Sequence, residues 1–162
     1  MHFTLCSFRF LLLTEVAPIP TEFGIAIARP EMMALAHLLH HPAIGNERIG
    51  DTDRKRSNKD LGRVLALAWL ATEREEDALL AWTAQWKAAL QKRFATEWRQ
   101  LGTIVGAGLR ALLASAPDLD QATIICNLGL LAGRDVSAQN LRATVLRLVQ
   151  DAIEPLEKIA QK

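Results

Sequence analysis

From residue 30 to the end of the chain, apolar side chains recur every three or four positions. This period constrains the fold more than any other feature. It is clearest at Leu61, Val64, Leu65, Ala68 and Trp69, which fall at i, i+3, i+4, i+7 and i+8, one face of an α-helix. A strand would alternate with a period of two instead. Pro30 suits a first helical position, because the N–H it lacks has no helical partner there anyway. The pattern predicts a helix over 31–41 that stops at Pro42, followed by a charged loop. Ser57 is the expected N-cap of the next helix, with Asp60 standing where a capping box has Glu. Residues 76–115 read as one helix or two, with Leu79, Trp82, Trp86, Leu90, Phe94 and Trp98 on the repeat and Gly102, Gly106 and Gly108 weakening the second part. Ala116-Pro117-Asp118 should end that stretch. A further helix is expected over 121–131, closing near Gly133. Ser137 should cap a last helix with Leu141, Val145, Leu148 and Val149 inward, and Pro155 should break it before a charged tail.

The N-terminal segment differs. Around Cys6, Ser7, Phe8, Arg9 and Phe10 the side chains alternate, so residues 3–13 read as a strand that runs into a helical turn. Pro18 and Pro20 then break the chain, and residues 23–28 read as a second short strand. Such a pair without a larger sheet leaves an edge to cover. Self-association or a protein partner is therefore expected.

The chain has 162 residues, half of them apolar, enough for one domain with its own core. Nineteen basic residues against eighteen acidic ones leave a net charge of +1. That balance gives no overall reason to expect nucleic acid or an anionic membrane. A local basic cluster leaves nucleic acid open. Cys6 and Cys126 both sit in apolar runs and read as small buried hydrophobes. Arg9 and Glu15 interrupt the first apolar run, so it does not read as a signal peptide. No stretch reaches the roughly 18 apolar residues of a membrane span. A cytoplasmic protein is expected.

The most informative stretch is Asp51-Thr52-Asp53-Arg54-Lys55-Arg56-Ser57-Asn58-Lys59-Asp60. It places Arg54, Lys55, Arg56 and Lys59 at the entrance to a helix, where free N–H groups and the helix dipole already favour an anion. Asp51 and Asp53 read as part of a solvated loop. His37, His40 and His41 invite a metal reading, and His37 and His41 stand four apart, a spacing that can chelate zinc. However, no third ligand is nearby and the Glu of an HExxH motif is missing. The four tryptophans read as core or interface residues.

Arg56-x-x-Lys59-Asp60-Leu61 resembles the Arg/Lys-x-x-Lys-Asp-Leu motif of DNA-polymerase-β-like nucleotidyltransferases. The branch concerned includes bacterial nucleotidyltransferase-like proteins and abortive-infection toxins. The upstream order also resembles that branch, with a short strand at Gly24-Ile25-Ala26-Ile27-Ala28, then Pro30, then a helix containing Ala36-His37-Leu38. The similarity covers residues 8–72. It implies that Arg56 and Lys59 contact phosphates, that Asp60 orients a neighbouring basic side chain or caps its helix, and that His37 stands in the family's His-Lys position. The family's Gly-Ser motif is missing from this sequence, and Asp51-Thr52-Asp53 follows a helix rather than lying on a strand before it. In the family, a carboxylate pair holds the metal that activates the attacking hydroxyl.

The expectation is a mainly α fold with a small N-terminal β element (α+β), the helical bundle-like C-terminal portion of a nucleotidyltransferase-like fold. It comprises one domain over 1–162, with a nucleotidyltransferase-like segment at 1–72 and a helical extension at 73–162. The resemblance implies a fragment that binds nucleotide or phosphate at Arg56, Lys59, Asp60 and His37. It would have no catalytic residues, intrinsic cofactor or metal of its own. Mg would enter with nucleotide only where another chain completed the site. The alternative is a helical protein-protein interaction module that binds no nucleotide. The purified chain should transfer no label from a nucleoside triphosphate to an acceptor in the presence of divalent metal. Transfer that disappears in an Asp51→Ala, Asp53→Ala double variant would show that the loop carboxylates are catalytic.

Overall fold

The computed structural model of the chain describes residues 6–44 and 47–162, with side chains for 9–42 and 47–162. The expected strand over 3–13 is corrected by a 3-10 helix at Cys6–Leu13; its first three residues lie outside the described part. In a 3-10 helix, positions three apart stack on one side. Phe10 and Leu13 are so placed, and both are buried. The side chains of Cys6 and Phe8 lie outside the described residues.

The β element is smaller than expected. β1 (Ile19–Pro20) pairs antiparallel with β2 (Ala26–Ile27), Ile19 opposite Ile27. The expected strand over 23–28 is shortened because its first half belongs to a turn. Both the N–H and the hydroxyl of Thr21 donate to the Ile25 carbonyl, at 2.9 and 2.7 Å. Gly24 has φ +72°, a backbone conformation that favours glycine. Phe23, Ile25 and Ile27 of this hairpin are exposed.

The rest of the chain is helical: α1 (Pro30–Ile44), α2 (Arg56–Arg74), α3 (Ala78–Arg93), α4 (Trp98–Ile104), α5 (Ala107–Leu113), α6 (Ala116–Leu128), α7 (Ala138–Leu148) and α8 (Glu154–Ala160). α1 begins at Pro30 but runs through Pro42, which occupies its last turn. There the missing N–H removes a single helical bond. Ala116-Pro117-Asp118 starts a helix rather than ending one. Ser115 accepts a hydrogen bond from the Asp118 N–H, and Pro117 occupies the first turn, where it is tolerated. Ser137 caps α7 by accepting from the Asn140 N–H. Pro155 likewise opens α8. A π-helical turn, Val149–Ile153, joins α7 to α8.

Among the described residues, the buried apolar side chains apart from Ala160 form one continuous cluster. α2 runs through it, packed against α1 on one side and α6 on another. Leu61, Val64, Leu65 and Ala68 are buried, and Trp69 is half-buried. No described helix is long and apolar enough to cross a membrane.

Trp86 of α3 is completely buried, and its indole N–H donates to the Glu31 carbonyl in the first turn of α1, at 2.8 Å. The buried indole N–H is thereby satisfied in the interior. Replacing Trp86 with Ala leaves a cavity and removes this bond. The expected loss is about 3–5 kcal/mol in urea-induced unfolding. Trp86→Phe should lose less, because most of the volume remains.

Candidate functional site

The N-terminal half of α2 presents three chemically different faces, and together they form the candidate site. Lys55 is the N-cap of α2, which has no side-chain cap hydrogen bond. The expected cap, Ser57, is instead inside the helix and buried. Asp60 turns away from its own helix end, so no capping box forms.

The first face meets α1. The Asp60 carboxylate lies 2.8 Å from His40 Nδ1 and 3.2 Å from His37 Nδ1, with the Arg63 guanidinium 3.6 Å away. Burial pushes the Asp60 carboxyl up, but hydrogen bonds and charge from His37, and then His40, more than offset it. The group is held below its ordinary value. An ionised carboxylate only accepts hydrogen bonds, so His40 Nδ1 donates to it, and His37 Nδ1 lies within ion-pair distance. Asp60 thus orients two imidazoles at the edge of a hollow of about 230 Å³, whose apolar walls include Phe10, Leu11 and Met33. The sequence singled out His37 and His41 as a pair. The structure pairs His37 with His40 instead and separates His41.

The second face meets α6. Lys55 Nζ pairs with Asp118 Oδ2 at 2.7 Å. The Asn58 amide donates to Asp118 Oδ1 at 3.0 Å and to Gln121 Oε1 at 2.8 Å. Burial pushes the Asp118 carboxyl up, but bonds from Lys55, Asn58 and Ser115 prevail and hold it below its ordinary range. One turn on, Gly62 lets the helices close. A Cβ there would sit 3.0 Å from the Ala122 carbonyl oxygen and 3.1 Å from an Ile125 methyl. Cys126 is buried, with Sγ 3.0 Å from the Gly62 carbonyl oxygen, and burial pushes its thiol up to about 12. It remains a protonated donor with no nucleophilic character.

The third face opens on a cleft of about 410 Å³ between α2, α6 and the loop before α2. Lys59 and Arg63, one turn apart on α2, reach it together with Arg54 from the loop. Of the four cations clustered in the sequence, Lys55 is paired to Asp118 and Arg56 to Glu47. Arg54 and Lys59 have no carboxylate within ion-pair distance among the described residues. Asp53 pairs with Arg48, and Asp51 is exposed. The structure therefore brings His37 and Asp60 together, places Lys59 in the neighbouring cleft, and leaves Arg56 outside both. Arg63 borders both hollows. The sequence reading missed it, although its spacing of four from Lys59 puts the two on one helical face.

His41 lies at the C-terminal end of α1 against Gly108 of α5. A Cβ on Gly108 would stand 2.4 Å from the imidazole. His41 Nδ1 is buried without a hydrogen-bond partner among the described residues. Burial lowers its pKa, and the charge of Asp60 only partly offsets this. In the folded chain His41 remains neutral at a pH where the unfolded chain binds a proton. Stability therefore rises with pH in that window and is lost as pH falls below about 6.5. The depressed Asp60 acts separately. Its contribution is present above about 3.9 and is lost as pH falls through its folded value. Urea midpoints measured from about pH 8 to pH 5 should fall with acidification in the wild type and fall less in His41→Leu. Equal slopes in the two proteins would remove His41 as the source.

No protein-family model, curated protein or solved structure matches this chain.

Proposed function

We propose that the chain is a non-catalytic binding module of nucleotidyltransferase-like character that captures an anionic ligand at the mouth of the α2–α6 cleft. The supporting observation is the convergence of Arg54, Lys59 and Arg63 on one concavity, with Arg54 and Lys59 unpaired among the described residues. Elsewhere in the cluster the cations are consumed by structural ion pairs. The resemblance of Arg56-x-x-Lys59-Asp60-Leu61 makes phosphate, as carried by a nucleotide, the anion to test first.

Each charge-assisted contact in a partly closed site contributes about 1.5–3 kcal/mol. In calorimetric titration with ATP, Lys59→Ala should therefore weaken binding roughly tenfold or more. Arg56→Ala should have a smaller effect, because Arg56 is already paired with Glu47. Binding should also weaken with added salt, which screens exposed charges. No heat in the wild type, or equal affinity in wild type and Lys59→Ala, would remove the anion-binding reading.

A second reading, the protein-protein interaction module, is favoured by the hairpin. Phe23, Ile25 and Ile27 expose 79%, 62% and 49% of their surface, an apolar group of the kind that marks a contact surface. Self-association that disappears in Phe23→Ser, measured by analytical ultracentrifugation, would support it.

A further inference from the structure

The cleft has a chemical direction. α2 and α6 run side by side in the same sense, since Asn58 meets Gln121 and Gly62 meets Ala122 and Ile125. Arg54 and Lys59 lie at the end where both helices begin. Ala66, Leu128 and Leu130 line the other end, and Arg63 stands between. From Lys59 to Ala66 the helix rises about 10 Å. Over that length the side-chain walls are apolar apart from Arg63, with Ile49 and Ile125 alongside. The Cys126 thiol adds no free polar group, because its sulfur is engaged by the Gly62 carbonyl. Past Arg63 the lining side chains therefore offer no free hydrogen-bonding group with which to read a nucleobase or a sugar. Leu128 and Leu130 nevertheless expose 77% and 54% of their surface, apolar area that a ligand would remove from water.

We infer that the cleft binds a single-chain anionic amphiphile, its head held by Arg54, Lys59 and Arg63 and its hydrocarbon chain lying along Ala66, Ile125, Leu128 and Leu130. Charge complementarity selects the anionic head, and the apolar walls select the chain. The head chemistry is an oxyanion, from either a fatty-acid carboxylate or an alkyl phosphate. The inference rests on the anion-binding reading of the same three cations and adds the identity of the ligand's body.

The test is calorimetric titration of the full chain with decanoate, decyl phosphate, inorganic phosphate and ATP. All are used at one salt concentration and below the concentration at which the alkyl probes self-associate. Decyl phosphate should bind at least about tenfold tighter than either inorganic phosphate or ATP. Stronger binding by decanoate than by decyl phosphate would assign the head as carboxylate; the reverse order would assign it as phosphate. Leu128→Glu replaces an exposed residue, so the fold should persist, as circular dichroism can verify. It should remove the chain-dependent gain, read as the ratio of decyl phosphate affinity to inorganic phosphate affinity within the same variant. Lys59→Ala should weaken every anion that binds. ATP binding as tight as decyl phosphate, or no response of the alkyl probes to Leu128→Glu, overturns the amphiphile and leaves the anion site standing. Binding of none of the four probes overturns both.

Discussion

Polar groups buried on two sides of α2 determine its orientation, and the rest of the structure depends on that helix. Asp60 is closed in by α1 and Asn58 by α6. A buried polar group that loses its partner costs about 1–3 kcal/mol. Asp60 must therefore meet His37 and His40, while Asn58 must meet Asp118 and Gln121. These two requirements fix the rotation of α2 about its axis. They are directional, whereas the apolar stripe of Leu61, Val64, Leu65 and Ala68 requires only burial.

Once that rotation is set, the fate of each cation follows. Lys55 turns toward α6 and becomes an ion-pair partner of Asp118. Lys59 and Arg63 turn into the cleft, and Arg56 is left outside it, paired with Glu47. The close approach at Gly62 sets the spacing of the cleft walls, since a side chain there would press on Ala122 and Ile125. The same packing that stabilises the helix pair therefore also shapes the binding concavity and directs its unpaired charge.

The histidines of α1 illustrate how neighbours divide similar residues. His37 and His40 share the Asp60 carboxylate, whereas His41 points to Gly108 and keeps a buried Nδ1 without a partner among the described residues. Burial disfavours the charged imidazole at His41, the ordinary effect of a low-dielectric environment. Three histidines within five residues thus have two different electrostatic surroundings, decided by what packs against each.

The amino-acid pattern by itself determined that the chain is mainly helical, where α1 begins, which face of α2 is inward, and the Ser137 cap of α7. These are local properties, set by the 3.6-residue period, by the conformational limits of proline and by short-range capping bonds. Tertiary structure decided the rest. Alternation around Phe8 suggested a strand, yet a 3-10 helix buries Phe10 and Leu13 against the core. Pro42 and Pro117 look like helix breakers in the sequence, but their effects depend on which turn of a helix each occupies. The four cations between Arg54 and Lys59 look equivalent in one dimension. Only the folded chain separates them, because Asp118 is 63 residues from Lys55 in sequence and reaches it only once α6 has packed against α2.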